Sequence, residues 1–180
     1  MTIIVCSGIH NPDLTDNFLN NLNIINQKFL AADILVITYP QIPVYSPVHL
    51  EKFLTQKIDQ NNDLFFISFS AGVVGSIGAA KNWQSKGGKI KALIAIDGWG
   101  VPLIANFPIY RLSHDYFTHW SLELLGRSRE SFYSQPEVEH LTIWNSPHQT
   151  WGWWLNKSGT KIRCTAADFV LNLLQKYDEI

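Results

Sequence analysis

The sequence predicts an α/β fold: a single domain over residues 1–180, built as a three-layer α/β/α sandwich around a mainly parallel sheet of five to six strands. Three observations predict it. First, four short apolar runs, at residues 2–6, 33–38, 64–67 and 90–96, alternate with three stretches of helical periodicity. Dense apolar runs without polar alternation are strands buried on both faces, and such strands belong to parallel sheets covered by helices. Second, 46% of the 180 residues are apolar and only 16% are charged, enough to bury a core and too little charge for a disordered chain. Third, the run at 64–67 ends in the small-residue turn Ser68-Phe69-Ser70-Ala71-Gly72 and feeds straight into a helix.

In chain order, residues 2–6 form the first strand and Ser7, Gly8, Ile9 and His10 a loop after it. Asp13 or Thr15 caps a helix running to about residue 31, with Phe18, Leu22, Ile25 and Phe29 on one stripe. The strand at 33–38 leads into a proline-rich loop. A helix at about 48–60 then presents Leu50, Phe53, Leu54 and Ile58. The helix after Ser70 carries Val73, Val74, Ile77 and Ala80 and ends at Gly87 and Gly88. The fourth strand, 90–96, stops at Asp97-Gly98.

Beyond Asp97 the alternation breaks. Residues 98–111 hold two prolines and two glycines, and a helix begins at Ser113 or Asp115 and runs through Tyr116, Trp120, Leu124 and Leu125. Residues 98–135 are a candidate lid or cap insertion. Residues 140–145 read as a fifth strand and 146–155 as an aromatic loop. The closing helix starts at Thr160 or Thr165 and reaches Tyr177, with Phe169, Val170, Leu173 and Leu174 as its core face. There is no internal repeat and no linker composition, so no second domain is expected.

Net charge is −1, which leaves no electrostatic footprint for nucleic acid. No like-charge block or span-length apolar run suggests stable membrane insertion. Cys6 and Cys164 are isolated and fit buried thiols in a reducing compartment. No basic segment precedes a long apolar stretch at Met1, so the expected location is cytoplasmic. No cofactor or metal is expected. His114 and His119 stand at i and i+5, a poor metal spacing, and read as surface or packing groups.

Ligands of parallel sheets bind at the carboxyl ends of the strands. Three polar groups fall there: Ser70 after the third strand, Asp97 after the fourth, and His148 after the fifth. A nucleophilic serine needs an imidazole to take its proton, and the imidazole needs a carboxylate to fix its tautomer. The bland readings stand beside these. Ser68, Ser70 and Gly72 also suit a plain polar turn, Asp97-Gly98 suits a turn that caps its own backbone, and His10 suits a solvated loop or a substrate contact. Trp151, Trp153 and Trp154 either wall an apolar pocket or cover the last helix.

Ser68-Phe69-Ser70-Ala71-Gly72 matches the nucleophile elbow G-x-S-x-G with serine at the first glycine. With Ser7-Gly8-Ile9 after the first strand and Ser146-Pro147-His148 near the end, the whole chain resembles the α/β-hydrolase family, in size its small lipases and cutinases. The resemblance implies Ser70 as nucleophile, His148 as general base and Asp97 as acid, with Asp115 the rival acid. It also implies an oxyanion hole from the N–H groups of Ile9 and Ala71. His10, Trp99 and Trp151 would touch substrate, a small-molecule ester or thioester with an apolar acyl group. Most members place the acid after a later strand, while some lipases use the position of Asp97. A hydrolase-like fold kept as a catalytically silent binding or interaction protein is the alternative.

Overall fold

A computed structural model of the chain describes residues 1–98, 100–123, 128 and 130–177. The elements follow as β1 (Thr2–Cys6), α1 (Asp13–Ile25), a short 3-10 turn (Phe29–Ala31), β2 (Ile34–Ile37), α2 (Pro47–Lys57), β3 (Leu64–Phe69), α3 (Ala71–Ser85) and β4 (Ile90–Ile96). The second half adds β5 (Ile109–Ser113), α4 (Tyr116–Glu123), β6 (Ser131–Ser134), α5 (His140–Asn145), β7 (Trp151–Leu155), β8 (Lys161–Thr165) and α6 (Ala166–Lys176).

One eight-stranded sheet runs in the order β2-β1-β3-β4-β5-β6-β7-β8. The six strands from β2 to β6 are parallel, and β7 and β8 close the far edge as an antiparallel hairpin. Side chains alternate across each strand, so apolar runs feed two cores. Ile3, Val5, Phe65, Ile67, Phe69, Ile94 and Ile96 pack with Phe18 of α1, Trp144 of α5 and Phe169 of α6. Ile4, Cys6, Phe66, Leu93 and Ala95 face the other way, against Leu50 and Leu54 of α2 and Val73 and Ile77 of α3. Helices on both faces make the three layers. The closing helix is fixed at its start by a capping box between Thr165 and Asp168.

The sheet is larger than the five to six strands expected, and the difference lies after Asp97. Residues 98–135, expected as a lid or cap, supply β5 and β6 to the sheet and send Val101, Leu103 and Phe107 into the core. Residues 140–145 are a helix, not a strand. Ile143 and Trp144 are buried while Leu141 is exposed, a one-sided pattern that a period of 3.6 satisfies. The last parallel strand is Ser131–Ser134 instead, fully buried although two of its four residues are serine. The aromatic segment 146–155 is a loop only as far as Thr150 and then becomes β7. Leu124 and Leu125, expected on the stripe of α4, lie outside the described residues. No helix among the described residues is long and apolar enough to cross a membrane.

Candidate active site

Ser70 forms the single-residue hinge between β3 and α3, with φ +50° and ψ −122°. Asp97 ends the neighbouring β4 with φ +49°. Among the described residues these two are the non-glycine residues with positive φ. Such conformations cost about 1–3 kcal/mol each and persist only where the surroundings impose them. Here the surroundings are the adjacent strands. The Ser70 N–H donates to the Ile96 carbonyl at 2.9 Å, and the Asp97 N–H donates to the Leu112 carbonyl at 2.8 Å. Close packing beneath the hinge explains the small residues. A Cβ on Gly72 would stand 2.2 Å from the Ser7 carbonyl oxygen and 2.9 Å from that of Cys6, so the first turn of α3 rests directly on the end of β1.

His140, the first residue of α5, completes the line. Its Nε2 lies 3.1 Å from Ser70 Oγ and its Nδ1 lies 2.8 Å from Asp97 Oδ2. The ring stacks on Phe69 with centroids 4.7 Å apart. One helical turn on, Trp144 stacks between Phe69 at 5.1 Å and Phe18 at 3.8 Å, and its Nε1 donates to Thr15 Oγ1. Positions i and i+4 share one helix face, so the buried Trp144 sets where His140 points. Asn17 and Asn21 of α1 secure the end of α5 through the side chain and carbonyl of Asn145.

Asp97 is buried and fully engaged. Its Oδ1 accepts the backbone N–H of His114 at 2.9 Å, and its Oδ2 faces His114 Nδ1 at 2.8 Å as well as His140 Nδ1. Burial pushes the Asp97 carboxyl up, but hydrogen bonds from His114 and His140 and the His114 charge outweigh it and hold the carboxyl below its ordinary value. An ionised carboxylate only accepts, so Nδ1 of His140 carries the ring proton and Nε2 presents its lone pair to Ser70. His114 is raised above the ordinary histidine value, chiefly by its hydrogen bond to Asp97 against the opposing effect of burial.

Asp97, His114 and His140 could each offer a ligand atom to a metal, with those atoms within 4.8 Å of one another. The 2.8 Å contacts from each Nδ1 to Asp97 Oδ2 are hydrogen-bond lengths. Two ligands on one tetrahedral ion at ~2.1 Å would sit about 3.4 Å apart, so the arrangement fits a proton network better.

Of the residues singled out from sequence, Ser70 and Asp97 meet at this rim and His148 does not. His148 sits in a loop bonded to the start of α6, where the Ala167 N–H donates to the Pro147 carbonyl and the Ala166 N–H to that of Thr150. Its Nδ1 is buried with no hydrogen-bond partner among the described residues. The imidazole beside Ser70 belongs to His140, because the last parallel strand is β6 and the loop after it reaches His140 first. The last parallel strand thus lies one element earlier than expected, and the histidine nearest Ser70 lies earlier with it. The spacing of His140 and Trp144 was the available signal. Asp115 faces His114 Nε2 at 2.9 Å rather than His140.

The other residues scatter. His10 lies beside the site, its ring 5.6 Å from Phe69, with Nε2 accepting the Gly8 N–H and Nδ1 donating to the Asn11 carbonyl. Burial leads in lowering its pKa. Ile9 is exposed in the same loop, where a Cβ on Gly8 would stand 3.0 Å from Ser70 Cβ, and Ala71 is the first residue of α3. Trp151 stands on β7 under the Arg163 guanidinium, four strands from β3, roughly 19 Å along the sheet at ~4.8 Å per strand. Trp99 lies outside the described residues. A cavity of about 530 Å³ opens between Tyr116, Tyr133, Gln135, Glu137 and Lys161, and its lining includes none of Ser70, Asp97 or His140.

A mostly parallel sheet covered on both faces, with a positive-φ serine between strand and helix, has the α/β-hydrolase fold. Among solved structures the chain is similar to one described as YbtT, a type II thioesterase from the Yersiniabactin NRPS/PKS biosynthetic pathway. The match has a TM-score of 0.57 and 10% sequence identity, covering 97% of this chain and 91% of that one. At that identity the likeness speaks for the fold alone. No protein-family model matches the sequence, and no curated protein matches it either.

Proposed function

We propose that the chain is a serine hydrolase that cleaves an ester or thioester of an apolar acyl group through an acyl-enzyme. The observation that carries this reading is the unbroken contact line from Ser70 Oγ through both ring nitrogens of His140 to Asp97 Oδ2, at 3.1 and 2.8 Å. His140 takes the Ser70 proton as Oγ attacks the acyl carbon. The oxygen that becomes negative faces the N–H of Ala71, which opens α3 and has no acceptor within its own helix, and the N–H of Ile9. Protonated His140 then hands its proton to the departing alcohol or thiol. Water, activated by the same Nε2, releases the acid.

An apolar acyl group suits the surroundings. Ile9 in the loop beside Ser70 is a large apolar side chain left more than half exposed, and so are Phe117 and Trp120 on α4, the helix that begins two residues after His114. Of residues 98–135, α4 is the part that would cover such a group. The thioesterase description of YbtT favours including thioesters among the substrates tried.

The test is turnover of chromogenic esters and acyl thioesters of graded chain length, with fluorophosphonate labelling. Ser70→Ala abolishes labelling, and both Ser70→Ala and His140→Ala lose on the order of a million-fold in kcat. His148→Ala stays within about tenfold of the parent, the margin of a structural residue. A wild-type protein inert to the probe and to every ester would instead fit a silent binding module.

A further inference from the structure

His114 belongs to no part of the triad just proposed, yet it contacts the acid more closely than a bystander needs to. Its Nδ1 lies 2.8 Å from Asp97 Oδ2 and its Nε2 lies 2.9 Å from Asp115 Oδ2. A neutral imidazole has one N–H and so can satisfy only one of two carboxylates. Both contacts are satisfied together only when both ring nitrogens donate, which is the imidazolium form. The same Asp97 oxygen serves His140, whose ring centre is 5.8 Å from that of His114.

We propose that His114 is a positioning residue of the hydrolase: an imidazolium clamped between Asp97 and Asp115 that fixes the Asp97 carboxylate for His140. The inference rests on the hydrolytic reading for its kinetic consequences. The groups facing the His114 ring are Asp97 at the end of β4, Asp115 beside it in the chain, and Glu139 and His140 where α5 begins. The Val138 N–H donates to the His114 carbonyl and holds its backbone against the segment that carries His140.

The consequence is kinetic. The positioning effect is a hydrogen bond between charged groups. Losing it in His114→Ala lowers kcat about ten- to a hundredfold with little change in KM. His114→Asn keeps an N–H donor near the place of Nδ1 and recovers kcat to within about threefold.

A readout without substrate accompanies the kinetics: nitrogen-15 NMR of the wild-type histidine rings, with His114→Asn assigning the His114 signals. Both ring nitrogens of His114 carry protons at pH 7. A neutral His114 ring at that pH overturns the inference, as does a His114→Asn protein whose kcat is no better than that of His114→Ala. Should no ester be turned over, the hydrolytic reading fails, while the ring protonation still decides whether the doubly held imidazolium exists.

Discussion

Replacing Asp97 by Asn tests the contact line at its most constrained point. Asn tolerates positive φ as well as Asp does, so the backbone at +49° is kept. The amide has only one way to sit. The Oδ1 position receives the His114 backbone N–H and must remain an oxygen, which places the NH2 where Oδ2 was. That group then points donors at Nδ1 of His114 and Nδ1 of His140, which stood 2.8 Å from the oxygen. Each ring must accept there and carry its proton on Nε2. His140 then aims an N–H at Ser70 Oγ, across the 3.1 Å contact, and can no longer take the serine proton. A wrong-tautomer histidine in a serine triad costs on the order of 10⁴ in kcat, about 5.4 kcal/mol of barrier. The assay is ester turnover, with circular dichroism to verify the fold and fluorophosphonate labelling to follow Ser70 reactivity. A folded Asp97→Asn protein within tenfold of the parent in kcat would refute the tautomer argument, and with it the acid's assignment.

Three further outcomes follow from the same geometry. Gly72→Ala pushes a methyl to 2.2 Å from the Ser7 carbonyl, so α3 must lift from β1; stability falls by about 1–3 kcal/mol in a denaturant titration, and an unchanged midpoint would contradict the close approach. The raised His114 contributes stability that is complete below its unfolded value of about 6.5 and is lost as pH rises through its folded value. The lowered Asp97 contributes stability present above about 3.9 and lost as pH falls through its folded value. The melting temperature should therefore drop above about pH 6.5, less steeply in His114→Asn, and a drop equally steep in both proteins would count against the charged ring. Burial pushes the thiols of Cys6 to about 12 and Cys164 to about 11, so iodoacetamide at pH 8 leaves both unmodified in the native protein and alkylates both after denaturation.

The first half of the fold was legible because its strands are buried on both faces and its helices on one. The apolar run at residues 90–96 has the same bounds as β4 in the structure. The second half hid its strands for a physical reason. Ser131–Ser134 lies inside the sheet between β5 and β7 and is packed by α4 and α6, so its serines are buried by context rather than by their own hydropathy. His140–Asn145 is rich in residues that favour strands, yet packing of Trp144 against Phe18 and Phe69 overrides that preference. The expected place of the histidine moved with that error. Ser70 and Asp97 were legible because each ends an apolar run. The double engagement of His114 was not, since its contact with Asp97 joins the ends of two neighbouring strands and leaves no local sequence pattern.

Ser70 and Asp97 hold unfavourable backbone angles side by side, each latched by its own amide onto the following strand, first β3 to β4 and then β4 to β5. Tension at one latch is therefore transmitted to the other through the end of β4. Loosening β4 at that end undoes both latches, while loosening β3 or β5 there undoes one. Fraying at the end of β4 should thus extinguish the whole rim at once, whereas fraying of either flanking strand disarms one residue alone.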